Sequence, residues 1–298
     1  MERERYSRTA LLVAFMRAQH HLHDGGTIID DPLAHRLLTA GEMAHFAKIY
    51  AGDGHAAGAP TGDTTAALLE ALRKHSPEPN VLARARYTED RLAAAVERGV
   101  RQYVLVGAGL DTFAFRRADL RDRVQIFELD HPQSQAFKRE RLASAGLADP
   151  PSLHWAPVDF EHESVADALT RLPFRPDEPA VFAWLGVTMY LTRPAIDAAW
   201  RTMRSVAARG SELTFDFITA AGFTNPPPML QRMRERTRAV GEPMITGLDP
   251  ATLAGELSAT GWTLVDLLGP AEIARRILAG SDGYRPGPLG HVACAAVE

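Results

Sequence analysis

The sequence predicts an α/β fold: a mostly parallel sheet covered by helices on both faces. Three observations lead there. From about residue 82, short apolar runs alternate with helical segments. The runs are continuously apolar rather than alternating, as expected of strands buried on both sides. The first run, 103–106, ends in Gly107-Ala108-Gly109, and the second, 124–129, ends in a carboxylate, Asp130. With 298 residues, 46% of them hydrophobic, the chain can build one large domain or a domain with an appended cap.

Residues 1 to about 80 show helical periodicity without strand alternation, with short helices expected over 9–17, 32–38 and 42–50. Asp30-Asp31 ahead of Pro32 is a helix-start signal, because the missing proline N–H costs nothing in the first turn. The glycine-rich stretch 52–62 reads as a mobile loop, and 64–75 as a helix. A helix over 82–98 leads into strands at 103–106, 124–129, 153–158, 180–184, 212–217, 263–268 and 292–297. Helices are expected between them at 132–145, 164–172, 194–208, 228–240, 250–260 and 270–279, most opening on or near a proline. The last strand follows the Gly/Pro-rich stretch 280–290 and is more easily antiparallel than parallel. The predicted division is a helical cap or lid over 1–80 and a sheet-bearing core over 81–298.

The formal charge is −4 and no long Lys/Arg run occurs, so nucleic acid is not an expected partner. The apolar stretch 10–15 is too short for a signal core or a membrane span, so no membrane association is expected. The single cysteine, Cys294, excludes an intrachain disulfide and fits a reducing cytosol; the expected location is cytoplasmic. Cys294 lies in an apolar run and reads as core.

A strand, a glycine turn, a helix and a second strand tipped with an acid suit a nucleoside. Gly107, Ala108 and Gly109 let the backbone approach closely, and Asp130 can accept both ribose hydroxyls. A dinucleotide fingerprint needs a third glycine where Thr112 stands, and Asp111 puts negative charge where a pyrophosphate would lie. S-adenosylmethionine (SAM) has no phosphate and a cationic sulfonium, so these residues favour SAM over NAD. Glu128, two residues before Asp130, shares its face of the strand. It reads either as a second cofactor contact or as a buried acid paired with a nearby arginine or a backbone N–H. Asp159-Phe160, after the third strand, offers an acceptor for an adenine amine and an apolar wall; the competing reading is a helix cap before 161–163.

Taken together, Thr9-Ala10-Leu11, Arg17-Ala18, Asp31-Pro32, Arg84-Ala85-Arg86-Tyr87, the turn from Val106 to Thr112, Phe115-Arg116, Glu128 to Pro132, Val158-Asp159-Phe160 and Gly186 to Thr192 resemble the leucine carboxyl methyltransferase family. The similarity is to its bacterial branch of SAM-dependent O-methyltransferases, which includes polyketide carboxyl methyltransferases of natural-product biosynthesis. The resemblance implies a class I methyltransferase (Rossmann-like) sheet of seven strands, the last antiparallel, with an N-terminal helical cap over SAM. It implies that Arg84, with Arg86 as its rival, pairs with the methionine carboxylate, an arginine–carboxylate fork. It further implies that Gly107 approaches the methionine end, Asp130 holds the ribose and Asp159 the adenine. Where many relatives carry a glutamate five residues before the tyrosine of the fourth-strand motif, this chain has Leu185. The cofactor's ammonium group then needs another acceptor, such as a backbone carbonyl near Gly107 or Leu185.

Tyr190 follows the fourth strand at the edge where such sheets bind ligands, and is the candidate catalytic residue, orienting the acceptor oxygen; the alternative is a packing tyrosine. A carboxylate acceptor is ionised at neutral pH and needs only alignment, whereas a hydroxyl needs a general base. His20, His21 and His23 with Asp24 lack metal-site spacing and read as a solvated helix end, with a general base from the cap as the alternative. No metal is expected. The stretch 223–230, with Met233 and Met244, suits an acceptor pocket or plain core. The expected acceptor is a small molecule, apolar or aromatic. The competing functions are a dinucleotide oxidoreductase and a non-catalytic SAM-fold binding protein.

Overall fold

The computed structural model describes residues 7–54, 64–281 and 283–298. The charged start and, from residue 55, the expected glycine-rich loop lie outside the described residues. The chain opens with α1 (Arg8–Asp24), a 3₁₀ turn (Ala34–Leu37), α2 (Ala40–Gly54), α3 (Thr64–His75) and α4 (Glu78–Glu97). There follow β1 (Gln102–Val106), α5 (Phe113–Arg116), α6 (Ala118–Arg121), β2 (Gln125–Asp130), α7 (Pro132–Ser144), β3 (Leu153–Pro157) and α8 (Val165–Thr170). Next come β4 (Ala180–Trp184), a 3₁₀ turn (Thr188–Tyr190), α9 (Arg193–Ser205), β5 (Glu212–Ile218), α10 (Ala220–Thr224) and α11 (Pro228–Ala239). The chain closes with α12 (Leu253–Ser258), β6 (Thr263–Leu268), α13 (Pro270–Arg276) and β7 (Gly290–Ala296).

The seven strands form one sheet in the order β3-β2-β1-β4-β5-β7-β6. The first five pair in parallel, and β7 runs antiparallel between β5 and β6. Strand order reverses between β1 and β4, so a crevice opens at their carboxyl ends. The expected parallel core and antiparallel last strand are both present.

Period-2 alternation sends successive residues to opposite faces. On one face Val104, Phe127, Phe182 and Phe215 pack with Ile196 and Trp200 of α9 and with Leu253 and Leu257 of α12. On the other, Tyr103, Leu105, Ile126 and Val181 meet Leu92, Ala95 and Val96 of α4. A separate apolar cluster joins Leu11, Phe15 and Met16 of α1 and Leu68 and Leu72 of α3 to Leu110 and Leu142 of the core.

Three local expectations change. The helix expected over 32–38 is a single 3₁₀ turn, because Asp31 is drawn inward. Its Oδ1 accepts from the Leu33 and Ala34 N–H groups and from Thr112 Oγ1, which halts the turn. Helix α1 runs on to Asp24 and stops at Gly25, where φ is 61°. That extension places His20 in the interior, with Nδ1 at 2.8 Å from the Tyr284 hydroxyl and Nε2 accepting from Ile28 N–H. His20 is therefore no solvated helix end; burial depresses its pKa and keeps the ring neutral. His21 turns instead to Asp30, and residues 52–54 continue α2 rather than opening a loop. Cys294 is buried, as its apolar run suggests.

Phe182 is fully buried at the centre of the sheet, between Phe174 and Trp262. Phe182→Ala should cost about 3–5 kcal/mol of unfolding free energy in urea titrations, since a cavity in the middle strand cannot collapse. A loss below ~1 kcal/mol would mean that the sheet centre is loosely packed.

Candidate active site

A cleft of about 1030 Å³ opens at the carboxyl ends of β1, β2, β4 and β5. Its polar lobe is built on the turn after β1. Gly107 and Gly109 have φ of 74° and 50°, the left-handed region that side chains avoid. A Cβ on Gly107 would come within 2.7 Å of Val187, and one on Gly109 within 3.2 Å of Ala10 on α1, so α1 lies directly over the turn.

Asp130 reaches under this turn from the end of β2. Its Oδ2 accepts from Gly109 N–H at 2.5 Å and its Oδ1 from His131 N–H at 2.7 Å. Each oxygen keeps a second lone pair for the cleft it lines. Burial raises its pKa, opposed by these two N–H donors. Asp159 and Phe160 line the cleft beyond β3. The helix considered after it does not form: residues 160–162 make a turn in which the Asp159 Oδ1 accepts from Glu161 N–H and its carbonyl from His162 and Glu163, and Ser164 caps α8 instead. Phe160 is 42% exposed, an aromatic face left open at the cleft.

Arg84 and Arg86 separate clearly. Arg84 lines the cleft, and its Nη1 donates to Asp216 Oδ2 at 2.7 Å. Arg86 points away, paired with Asp90 one turn along α4. Asp216, near the end of β5, also accepts from Gly186 N–H at 2.6 Å through Oδ1. Gly186, with φ of 73°, lies so close to Arg84 that a Cβ would stand 2.7 Å from the guanidinium. Leu185, just before it, lines the cleft with an apolar side chain. The carboxylate at this point thus comes from β5 rather than β4. Asp216 escaped the sequence reading; the available signal was an acid between Phe215 and Phe217 at a strand end.

Glu128 does not reach the cleft. It is fully buried behind Asp130, and its Oε2 accepts from Lys138 Nζ of α7 at 2.5 Å. Burial follows the alternative reading, but the partner is a lysine rather than an arginine or a backbone N–H. The shared face was correct, but α7 covers this end of it. Burial pushes the Glu128 carboxyl up to about 7, with Lys138 opposing.

Arg17 is the second site residue missed as such. Buried on α1, its Nε lies 2.8 Å from Asp31 Oδ2 and its Nη1 2.9 Å from Asp111 Oδ2. Burial works against its charge, but Asp31 and Asp111 outweigh that and raise its pKa. Asp111 is half-buried; partial desolvation works against its charge, but Arg17 and Arg116 outweigh that and hold its carboxyl well below the usual range. Its Oδ1 caps the next turn at Phe113 N–H.

The apolar lobe lies between the 3₁₀ turn bearing Tyr190, α11 and residues 243–246. Met189, Ile218, Leu230 and Met244 form its buried part, with Tyr190, Phe223, Met233 and Leu289 packed against them. Tyr190 lines the cleft, hydrogen-bonds the Thr9 side chain, and is pushed up to about 12 by burial. Glu242 closes the lobe above it, accepting from the Arg8 and Thr9 N–H groups at 3.1 Å each and so capping α1 from a distant loop. Among the described residues no group of three or more His, Cys, Asp and Glu could hold a metal ion, and no helix is long and apolar enough to cross a membrane.

A seven-stranded sheet in this order, with its antiparallel last strand and a cleft at the switch point, defines a class I methyltransferase fold. The chain belongs to the family described as leucine carboxyl methyltransferase, which matches residues 10–204. It is 32% identical over 283 residues to a Bacillus subtilis (strain 168) protein named "Putative S-adenosyl-L-methionine-dependent methyltransferase YktD", covering 92% of this chain and 91% of that one. A protein of the same description, without the suffix, from Saccharopolyspora erythraea is 32% identical over 213 residues, 72% of this chain and 68% of its own. In fold, the chain is similar to a DUF574 family protein from Streptomyces avermitilis, with a TM-score of 0.54 at 16% identity over 85% of this chain and 97% of that one. The protein is an S-adenosylmethionine-dependent methyltransferase.

The pair behind Asp130 makes a pH prediction. A carboxyl whose folded pKa is raised stabilises the fold fully below its unfolded value near 4.5, and that stability is lost as pH rises through 7. Stability should fall between pH 4.5 and 7 by an amount on the order of 2–3 kcal/mol from this group. The double substitution Glu128→Gln/Lys138→Met should flatten that part of the profile in urea titrations. An unchanged slope would show that another group carries it.

Proposed function

We propose that the protein methylates an oxygen, in the first place a carboxylate, of a small apolar or aromatic acceptor, with SAM bound across the polar lobe. Bound there, SAM supplies an electrophilic methyl group: the acceptor oxygen bonds to its carbon as the C–S bond breaks, the electron pair stays on sulfur, and a methyl ester and S-adenosylhomocysteine result.

The residues present fit that cofactor. Gly107, Ala108 and Gly109 leave room for close backbone approach, and Asp130 presents two free acceptor sites beside the turn. Arg84 provides a guanidinium for the methionine carboxylate. Asp216, tied to Arg84 and to Gly186 N–H, provides the acid for the ammonium group that Leu185 cannot. Asp159 and Phe160 lie where an adenine needs an acceptor and an apolar wall. Glu128 acts from behind, through Lys138.

One observation favours a carboxylate over a hydroxyl. The Tyr190 phenol is pushed up to about 12, so at neutral pH it is a donor and not a base. Glu242, the acid beside it, is held in place by the Arg8 and Thr9 N–H groups, one on each oxygen. A protonated Tyr190 suits an acceptor that arrives ionised: Tyr190 orients it, and α1, packed over Gly109, excludes water. The lack of cations in the apolar lobe is no obstacle, since the sulfonium itself attracts a carboxylate.

Calorimetry with SAM, S-adenosylhomocysteine and NADH tests the cofactor site. SAM and S-adenosylhomocysteine should bind and NADH should not. Arg84→Met and Asp130→Ala should each weaken SAM about 10- to 100-fold, the equivalent of one charge-assisted contact. Undiminished affinity in both variants, measured on folded protein, would remove these residues from the site.

The acceptor class is tested by a panel of carboxylic acids and phenols, with methyl products identified by mass spectrometry. Turnover of an acid should be nearly flat between pH 6 and 9, because its carboxylate stays ionised. Tyr190→Phe should lower its kcat about tenfold. Turnover of phenols alone, rising with pH, would overturn the carboxylate reading.

A further inference from the structure

Helix α11 carries Arg232, Arg234, Arg236 and Arg238 against a single acid, Glu235. Arg234 and Arg238 have no carboxylate partner among the described residues, whereas Arg17 and Arg84 in the cleft are both bound to acids. One turn apart, the two share a face of the helix. They flank a depression of about 150 Å³ lined also by Gln231, Glu235, Pro243 and Met244. Pro243 and Met244 belong to the wall of the main cleft as well, so this depression adjoins the apolar lobe. The Arg234 guanidinium is held over the Phe223 ring at 5.0 Å, which positions it without using its charge on an acid. Glu235 accepts from Gln231 Nε2 at 3.2 Å, leaving two cations against one anion.

The adjoining face of α11 sends Met229, Leu230, Met233 and Thr237 into the cleft wall. No lysine or arginine stands among these, so the lobe offers nothing to a second anionic group on the acceptor, and burying one there unpaired would be costly. Two guanidinium groups without a carboxylate partner among the described residues stand just beyond Met244, a flexible side chain that an elongated ligand can displace. Resting on the reading of this lobe as the acceptor site, the geometry points to an anion subsite at Arg234 and Arg238. It takes the distal carboxylate or phosphate of an elongated acceptor. The apolar middle of that acceptor lies along Met233 and Met244, and its other end presents the methyl-accepting oxygen to Tyr190.

The test is calorimetry on the full chain saturated with S-adenosylhomocysteine. The probes are the diacids adipate, suberate and sebacate, the monoacids hexanoate, octanoate and decanoate, and 8-phosphonooctanoate. At one chain length or more, a second anion should tighten binding about tenfold over the matching monoacid. The phosphonate and diacid arms show whether the subsite prefers phosphate or carboxylate. Arg234→Gln/Arg238→Gln should abolish the advantage, leaving monoacid and S-adenosylhomocysteine affinities within about twofold, and Arg232→Gln should keep it. Monoacid binding with no gain from a second anion, or a gain that survives the double substitution, overturns the subsite alone. Failure of every probe to bind, monoacids included, overturns the acceptor reading together with it.

Discussion

The buried guanidinium of Arg17 is the interaction on which the site's architecture depends. It joins α1 and Asp31 to Asp111 at the glycine turn after β1. Stripping one partner from such a cluster leaves an uncompensated buried charge, typically at a cost of about 3–5 kcal/mol. Helix α1 therefore has one favourable seat. That seat puts Ala10 against Gly109 and Thr9 against Tyr190. Glu242 secures the other end of the same helix, so α1 is held both from the polar lobe and from the apolar lobe.

This arrangement ties the two lobes together. Asp216 links α4, through Arg84, to the turn after β4 at Gly186, and its backbone carbonyl accepts from Thr188 Oγ1 in the turn that carries Tyr190. The Met189 carbonyl in that turn accepts from Ile245 and Thr246, which close the apolar lobe. A chain of short polar contacts thus runs from the proposed methionine end of the cofactor to the proposed acceptor wall. In the proposed function, cofactor position and acceptor position are set by one framework, as an in-line displacement requires.

Buried charge is distributed with a consistent logic around the turn. Asp111 and Asp130, both at the glycine turn, are satisfied by N–H donors, and Asp111 also by Arg17. Glu128 and Lys138 form a buried ion pair behind them. Asp130 and Asp216, which keep spare acceptor capacity, line the cleft, whereas the Glu128 Oε1 atom is buried behind it without a donor.

The sequence by itself determined the order of elements and the chemistry at strand ends. Continuous apolar runs, proline-opened helices and the Gly107–Gly109 turn are local signals, and each of the seven strands appears where they place it, within a few residues at the ends. Asp130, Asp159, Phe160, Leu185 and Tyr190 were legible for the same reason: a strand's carboxyl end is visible in the chain, and such ends meet at one crevice. Tertiary structure alone decided which side chains face it. Glu128 and Asp130 share a face of β2, yet α7 covers one with Lys138 and leaves the other open. Arg84 and Arg86 are two residues apart on α4, and only packing against β5 sends the first to Asp216. Asp216 and Arg17 are brought to the site by contacts 132 and 94 residues long, to Arg84 and to Asp111 respectively. No local pattern encodes such contacts, because their energy exists only once the sheet has assembled and α1 has docked.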